Sequence, residues 1–249
     1  MGTRRTRRFW LCWALALAVT AVWTISPPPV QTSQPVGGAA HGSYVALTFD
    51  DGPWPGTTNA LLDGLAQRGV KSTFFLVGEQ VADRAETVRR MADEGHQIGL
   101  HTWHHVSLKG MTPDQITSQL DQTRAAIREI VGPVDLMLRP PYGFVDDTLR
   151  QWAKAPIICW SLDTEDWKDP PPSRITADIL RQVKDGDIIL MHEIFDTSVT
   201  AALAAVDQLL AQGYRLVTVE ELFAQRGQDP QPGAVYCSLP PAQKEEVEP

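Results

Sequence analysis

Cysteine is scarce in this sequence, and basic residues are scarce in most of it. Three cysteines, Cys12, Cys159 and Cys237, are too few for a disulfide framework and include no closely spaced pair for a metal. Four of the 22 basic and none of the 30 acidic residues lie in residues 1–41, which leaves 18 basic and 30 acidic residues beyond. No basic patch is available to neutralise phosphates, so we expect no nucleic-acid partner. A Cys159–Cys237 bond is compatible with the sequence but is not indicated by it.

Long apolar runs are also missing, except at the N-terminus. Four arginines precede a 17-residue apolar run, Phe9 to Ile25, which ends at Ser26 and three prolines. A basic head before an apolar stretch is typical of an export signal. The run is short for a membrane span, yet no Ala-x-Ala-like site follows it directly. For residues 1–25 we favour a signal-anchor over a cleaved signal peptide, with the following chain extracytoplasmic, either membrane-anchored or secreted.

Composition divides the rest of the chain into three parts. Residues 26–42 are rich in Pro, Gly, Ser and Gln, which predicts a flexible linker. Residues 43–226 alternate apolar runs with helical patterns and are expected to form one folded domain. Residues 227–249 are rich in Pro and Gln with an acidic end, which predicts a poorly ordered tail.

The folded domain reads as alternating strands and helices. Strands are predicted at 44–49, 72–77, 97–100, 136–138, 157–160, 187–191 and 214–217. Helices are predicted at 57–68, 81–94, 112–131, 147–153, 174–183, 199–211 and 220–225. This alternation predicts an α/β protein with a parallel sheet, either closed like a barrel or open and doubly wound. Both architectures put ligand sites at the carboxyl ends of the strands.

Five of these strands end in or are followed by candidate site residues, at the edge where a site is expected. They are Asp50 and Asp51, His101 and His105, Arg139 and Tyr142, Asp166 and Trp167, and finally Leu190 and His192. Two histidines separated by three residues can bind one metal, and Asp51 can supply a third ligand. Such a set leaves a position open for water or substrate, as in catalytic zinc sites. His104 is an alternative to His105, and Asp50-Asp51-Gly52-Pro53 alone is equally consistent with a solvated turn.

Five ordered motifs resemble those of the polysaccharide deacetylases, carbohydrate esterase family 4. The motifs are Thr-Phe-Asp-Asp-Gly-Pro at 48–53, His-Thr-Trp-His-His at 101–105, Arg-Pro-Pro-Tyr-Gly at 139–143, Asp-Thr-Glu-Asp-Trp at 163–167 and Leu-Met-His at 190–192. The family includes peptidoglycan and chitin deacetylases and acetylxylan esterases. The resemblance covers residues 44–225 and implies a distorted (β/α) barrel of about seven parallel strands, with residues 43–226 as its catalytic domain.

The resemblance also implies roles for the site residues. Asp51, His101 and His105 would hold a divalent metal, usually zinc (Zn²⁺). Asp50 would be the general base toward a metal-activated water, and Arg139 would pair with it. His192 would protonate the leaving amine, with Asp166 as its orienting carboxylate. The remaining implied roles are oxyanion stabilisation by the Tyr142 backbone N–H and lining of the acetyl pocket by Trp167 and Leu190.

The function implied is hydrolysis of N-acetyl groups on a GlcNAc-containing polysaccharide. Peptidoglycan is favoured over a chitin-like polymer because the domain is expected to be tethered near a membrane. Two alternatives are kept, an O-acetyl esterase of the acetylxylan type and a catalytically silent glycan-binding module. A monomer is expected. Trp160 is interpreted as a core aromatic residue and Asp163 as a loop residue outside the catalytic set.

Overall fold

The computed structural model describes residues 42–241. The predicted signal-anchor, all but the last residue of the predicted linker, and residues 242–249 lie outside the described residues. Within 42–241, none of the helices combines the length and the apolar character that crossing a membrane requires.

Strands and helices alternate along the described chain. The strands are β1 Tyr44–Asp50, β2 Thr73–Leu76, β3 Gln97–Leu100, β4 Ile157–Ile158, β5 Leu162–Asp163, β6 Ile188–His192, β7 Arg215–Val217 and β8 Val235–Tyr236. The α-helices are α1 Pro55–Arg68, α2 Gly78–Val81, α3 Ala85–Asp93, α4 Pro113–Val131, α5 Asp147–Trp152, α6 Pro172–Gln182, α7 Asp196–Ala211 and α8 Val219–Gln225. Short 3-10 helices lie at Ala82–Arg84, Pro141–Gly143 and Asp166–Lys168.

Strand β1 lies at the centre of a parallel sheet. The sheet has the order β3-β2-β1-β6-β5, and β7 pairs with the first half of β1. Along β1, Val45, Leu47 and Phe49 are buried in one apolar cluster and Ala46 in another. A parallel strand is covered on both faces, which explains why β1 is apolar almost throughout. The predicted α/β class is confirmed.

The sheet continues from β3 through short bridges. Leu138 bridges Leu100 and Ile157, so the strand predicted at 136–138 is reduced to one bridging residue. Strand β4 then pairs with β8, and Ser238 bridges Asp187 immediately before β6. On the side where the predicted barrel would continue, single-residue bridges extend the sheet.

Residues 227–241 do not form the poorly ordered tail that their composition predicts. Strand β8 pairs with β4, and the Leu239 side chain is buried. Arg226 Nε donates to the Leu239 carbonyl oxygen at 2.7 Å. Pro and Gln are compatible with order here because the segment follows a neighbouring strand, a contact between positions about 80 residues apart that local composition does not encode.

Helix α4 begins as the sequence predicts. The Thr112 hydroxyl accepts from the Gln115 backbone N–H, the Gln115 side chain accepts from the Thr112 N–H at 2.9 Å, and Pro113 opens the helix. This capping box satisfies backbone donors that a helix N-terminus leaves unpaired. By contrast, the helix predicted at 81–94 is divided into α2, a 3-10 turn and α3.

Candidate active site

The polar clusters that follow the strands meet at the carboxyl edge of the sheet. They line an open cleft of about 490 Å³. Its lining residues are Asp50, Asp51, His101, His105, Tyr142, Trp160, Asp163, Trp167, Leu190 and His192. The structure thus brings together every predicted site residue except Arg139 and Asp166, which lie directly behind Asp50 and His192.

The end of β1 separates its two adjacent carboxylates. Asp50 is the last strand residue and is 3% exposed, whereas Asp51 has a left-handed backbone with φ of 75°. The turn continues through a cis bond between Gly52 and Pro53. As a result the two carboxylates contact different partners. Asp50 Oδ1 accepts from Arg139, and Asp51 Oδ1 faces the two predicted histidine ligands.

Asp51, His101 and His105 form a three-ligand group. Asp51 Oδ1 lies 3.3 Å from His101 Nε2 and 3.1 Å from His105 Nε2. One ligand atom from each residue lies within 4.8 Å of the others. Tetrahedral ligands at about 2.0–2.1 Å from a zinc ion are themselves roughly 3.3 Å apart, so the group has the dimensions of a catalytic metal site.

The hydrogen bonds of His101 indicate that a cation belongs in this group. His101 Nδ1 lies 2.7 Å from the Arg139 carbonyl oxygen, which can only accept, so Nδ1 carries the proton. Nε2 then presents a lone pair toward Asp51 Oδ1, a buried oxygen without a hydrogen-bond donor among the described residues. A cation at this point satisfies both atoms, and the carbonyl fixes the ring as in other metal sites.

Electrostatics keep Asp51 in the form that a metal needs. Burial raises the pKa of Asp51, but the adjacent His101 and His105 lower it by more, to well below its usual range. The pKa of His105 is raised, chiefly because Asp51 lies beside it. Asp51 is therefore an ionised carboxylate, as a ligand must be.

In the structure His105, and not His104, lies in the three-ligand group. His104 has an exposed ring, whose Nδ1 lies 2.7 Å from Glu79 Oε2. The His104 backbone N–H donates to Gln119 Oε1. The His105 backbone has a φ of 52°, which turns its side chain toward Asp51. The spacing alone could not make this choice, because both histidines follow the same strand.

Asp50 and Arg139 form a buried ion pair, in which Asp50 lines the cleft and Arg139 lies behind it. Arg139 is 0% exposed, and its Nη1 donates to Asp50 Oδ1 at 2.8 Å and to Thr48 Oγ1 at 2.6 Å. Its other donors reach the carbonyl oxygens of Ile158 and Cys159. A buried guanidinium with all of these partners holds the Asp50 carboxylate in one orientation.

His192 and Asp166 form a second pair, in which His192 lines the cleft and Asp166 lies behind it. His192 ends β6, and its Nδ1 lies 2.8 Å from Asp166 Oδ1, while its backbone N–H donates to Asp166 Oδ2 at 2.8 Å. Burial lowers the pKa of His192, but the Asp166 carboxylate outweighs burial and raises it to about 9. Because Nδ1 is held by Asp166, Nε2 is the ring nitrogen available to the cleft.

Two exposed aromatic residues form the rim of the cleft. Tyr142 has a left-handed backbone with φ of 64° and a side chain that is 59% exposed, and Trp167 is 53% exposed. Leu190 is buried in the wall. Trp160, interpreted from sequence as a core residue, lines the cleft instead. Asp163 also lines it, and its Oδ1 accepts a hydrogen bond from the Glu165 N–H within the same loop.

A buried carboxyl group next to the site was not assigned from the sequence. Glu193 is 0% exposed, and both of its carboxyl oxygens are without a hydrogen-bond partner among the described residues. A Cβ placed on Gly52 would lie 1.6 Å from Glu193 Oε1, so Glu193 packs directly on the turn that follows β1. Burial raises the pKa of Glu193 well above its usual range, and the nearby Asp51, Asp50 and Asp166 carboxylates raise it further. The neighbouring glycine in the motif is the one sequence signal of this contact.

Comparison with known proteins gives a family for this fold and site. Residues 37–156 match the Polysaccharide deacetylase family. The chain is 39% identical to peptidoglycan-N-acetylmuramic acid deacetylase PdaC of Bacillus subtilis over 80% of its own length and 41% of the relative's. It is 36% identical to a peptidoglycan-N-acetylglucosamine deacetylase of Bacillus cereus over 75% of this chain and 70% of the relative.

Solved structures agree with this family. A structure described as T48 deacetylase with substrate has a TM-score of 0.75 and 41% identity, covering 78% of this chain and 96% of that one. A family 4 acetyl xylan esterase from Clostridium thermocellum, in complex with a cobalt ion, has a TM-score of 0.76 and 34% identity, covering 79% and 99%.

This chain belongs to the polysaccharide deacetylase family. It spans about two fifths of the length of PdaC, the first of the two curated relatives above.

Proposed function

We propose that this chain is a metal-dependent hydrolase that removes N-acetyl groups from a GlcNAc-containing polysaccharide. One observation carries the proposal. The three-ligand group lies in one cleft with a carboxylate held by Arg139 and an imidazole held by Asp166. These are the parts that metal-dependent hydrolysis of an amide uses, namely a cation, a base and an acid.

The residues present fit a divalent cation, and we propose zinc. Bound by Asp51, His101 and His105, zinc would supply Lewis-acid activation of a water and of the acetyl carbonyl oxygen. The donor set of two imidazoles and one carboxylate is typical of catalytic zinc, since it leaves a coordination position open.

Asp50 is the base in this proposal. Arg139 donates a hydrogen bond to Asp50 Oδ1. The other carboxylate oxygen, Asp50 Oδ2, faces the three-ligand group and lies 3.7 Å from His101 Nε2. Asp50 Oδ2 therefore lies where it would accept a proton from a water next to the three-ligand group. Arg139 holds the Asp50 carboxylate in place through a buried ion pair.

His192 is the acid. Its raised pKa keeps it protonated at neutral pH, and its Nε2 is the nitrogen not used by Asp166. A protonated imidazole at the cleft can give its proton to the leaving amine, which would otherwise depart as a poor leaving group. We assign the Tyr142 backbone N–H to the oxyanion and the buried Leu190 to the acetyl methyl group.

We propose peptidoglycan as the polysaccharide. The relatives described as peptidoglycan deacetylases support this choice, and the exposed Tyr142 and Trp167 rings offer apolar faces to sugar rings at the rim. We further propose a monomer held outside the cytoplasmic membrane by residues 1–25, which would place the cleft near a cell wall. An O-acetyl esterase activity is the second candidate, supported by the similarity to an acetyl xylan esterase.

A substrate panel tests the proposal. Purified full-length chain with added zinc is incubated with peptidoglycan, N-acetylated chitooligosaccharides or acetylxylan, and released acetate is measured over time. We expect release from peptidoglycan to be fastest. Release from acetylxylan alone would replace the proposed function with the O-acetyl esterase. Glycan binding without acetate release from any of the three would identify a silent binding module.

A further inference from the structure

Two cysteines lie side by side on paired strands. Cys159 directly follows β4 and Cys237 directly follows β8. The two strands pair in parallel with Ile157 opposite Val235 and Ile158 opposite Tyr236. One residue further along the same register, Cys159 stands opposite Cys237.

The hydrogen bonds of the two strands hold this register at the cysteines themselves. The Ile157 N–H donates to the Ala234 carbonyl at 2.9 Å, and the Cys159 N–H donates to the Tyr236 carbonyl at 2.8 Å. The two hydrogen bonds are two residues apart on each strand, as in a regular parallel ladder. The pairing of Cys159 with Cys237 is therefore part of the ladder.

The geometry is compatible with a covalent bond. Neighbouring strands lie about 4.7–4.9 Å apart, inside the range of roughly 4.4–6.8 Å between the Cα atoms of disulfide-bonded cysteines. Residues opposite each other in a sheet direct their side chains to the same face. The neighbouring Cys237 thiol adds to burial in raising the pKa of Cys159. Both are free cysteines in the structure, Cys159 half-buried and Cys237 exposed.

We propose that Cys159 and Cys237 form an intramolecular disulfide that fastens the C-terminal segment to the sheet. The oxidant is a small disulfide or a protein disulfide of the kind found outside the cytoplasm. The thiolate of Cys237 attacks one sulfur of the oxidant, forms a mixed disulfide and releases the first thiol. The thiolate of Cys159 then attacks the Cys237 sulfur and releases the second thiol. The two cysteines lose two electrons and two protons, and the oxidant gains them.

The order of attack follows from the surroundings of the two sulfurs. Cys237 is exposed and meets the oxidant first. Burial raises the pKa of Cys159 to about 11, so its thiol is a poor first nucleophile. Because it stands opposite Cys237, it is the thiol that attacks the mixed disulfide on Cys237 in the second step.

The bond would stabilise the folded domain. It would close a loop of roughly 80 residues, and cross-linking a long loop restricts the unfolded chain more than the folded one. It would also secure β8 and, through it, the buried Leu239. At the other end, the Cys159 carbonyl accepts from Arg139 Nη2 at 3.0 Å, so β4 is one of the supports of the Asp50–Arg139 pair.

Peptide mapping tests whether the bond forms. The full-length chain carrying Cys12→Ser is incubated with a reduced and oxidised glutathione mixture, alkylated while denatured, and digested. We expect a linked pair of peptides containing Cys159 and Cys237, and a loss of two alkylatable thiols that dithiothreitol reverses. Glutathione adducts that persist on either cysteine, or disulfide-linked dimers in place of the internal bond, would overturn the proposal.

Thermal unfolding tests its consequence. We expect the oxidised chain to melt about 5–10 °C above the reduced chain, which is the shift that a typical disulfide gives a domain of this size. The control, Cys12→Ser with Cys237→Ser, should melt at one temperature in both conditions. An oxidised chain that melts at or below the reduced chain would contradict the stabilising role. Neither measurement depends on the proposed enzyme activity, so the two proposals fail separately.

Discussion

Asp50 and Asp51 show how neighbouring residues acquire different tasks. The strand conformation ends at Asp50, and the left-handed backbone of Asp51 turns its carboxylate away from Arg139 and toward His101 and His105. A non-glycine residue with positive φ is uncommon, and this backbone conformation costs free energy. Such conformations are often found where a functional geometry depends on them. The two residues do begin a turn, and this turn orients their carboxylates toward different partners.

His101 and His104, two histidines of the same motif, provide a matched test of the three-ligand group. Replacing His101 with Ala removes a ligand whose ring is fixed by the Arg139 carbonyl, whereas His104→Ala removes a ring that contacts Glu79. We expect His101→Ala to lower bound zinc at least 10-fold by elemental analysis after dialysis. His104→Ala should retain zinc at the level of the unmodified chain. Equal zinc contents in the two variants would rule out the ligand assignment.

His192 should control the alkaline limit of activity. The proposed acid acts only when protonated, so the rate falls as pH rises through its pKa, which Asp166 raises to about 9. In Asp166→Asn the raising charge is removed while burial still lowers the pKa. We expect the alkaline limb of kcat/KM to move down by about one to two pH units.

A control separates this effect from general damage to the site. Thermal unfolding and zinc content of Asp166→Asn should stay close to those of the unmodified chain. A variant with a lower rate at every pH and an unmoved alkaline limb would show that Asp166 does not set the pKa of the acid.

At the scale of elements, the turn after β1 is packed against the residue that follows β6. Gly52 has no room for a Cβ because Glu193 Oε1 would lie 1.6 Å from it. We expect Gly52→Ala to lower kcat at least 10-fold, since either the buried carboxyl or the turn carrying Asp51 must move. Adding Glu193→Asp shortens the opposing side chain by one methylene and should restore part of the lost rate.

The rescue is the decisive part of this prediction. Acetate release by the single and double variants forms a double-mutant cycle, and contacting residues give non-additive effects. Additive losses from Gly52→Ala and Glu193→Asp would mean that the two side chains do not interfere.

The same scale shows what sequence patterns could and could not predict. Strands β1, β2, β3 and β6 and the capped helix α4 were predicted because their apolar periodicity and caps are local signals. Strand β8 was missed because it is two residues long and pairs with β4, far away in the chain. The strand predicted at 136–138 was overestimated for a related reason, since one bridging residue is enough for the sheet to continue there.

The site followed the motifs more closely than the strands did. The motifs named Asp50, His192 and the three-ligand group, which the structure brings together in one cleft. They also named Arg139 and Asp166, which contact Asp50 and His192 from behind the cleft. Residue spacing left His104 as an alternative to His105, which the resemblance implied. No sequence pattern gave the position of Trp160 at the cleft, because that depends on how loops turn. The buried Glu193 was likewise visible only as a steric contact across the sheet.

For the whole molecule, the central claim is that amide hydrolysis depends on a cation held by Asp51, His101 and His105. The most direct measurement is acetate release from N-acetylated chitooligosaccharides or peptidoglycan, before and after a chelator removes bound metal, with Asp50→Asn measured alongside. We expect chelation to lower the rate at least 100-fold and added zinc to restore it. Asp50→Asn should keep its zinc and remain slow. Undiminished acetate release from a chain shown by elemental analysis to be free of metal would contradict the account.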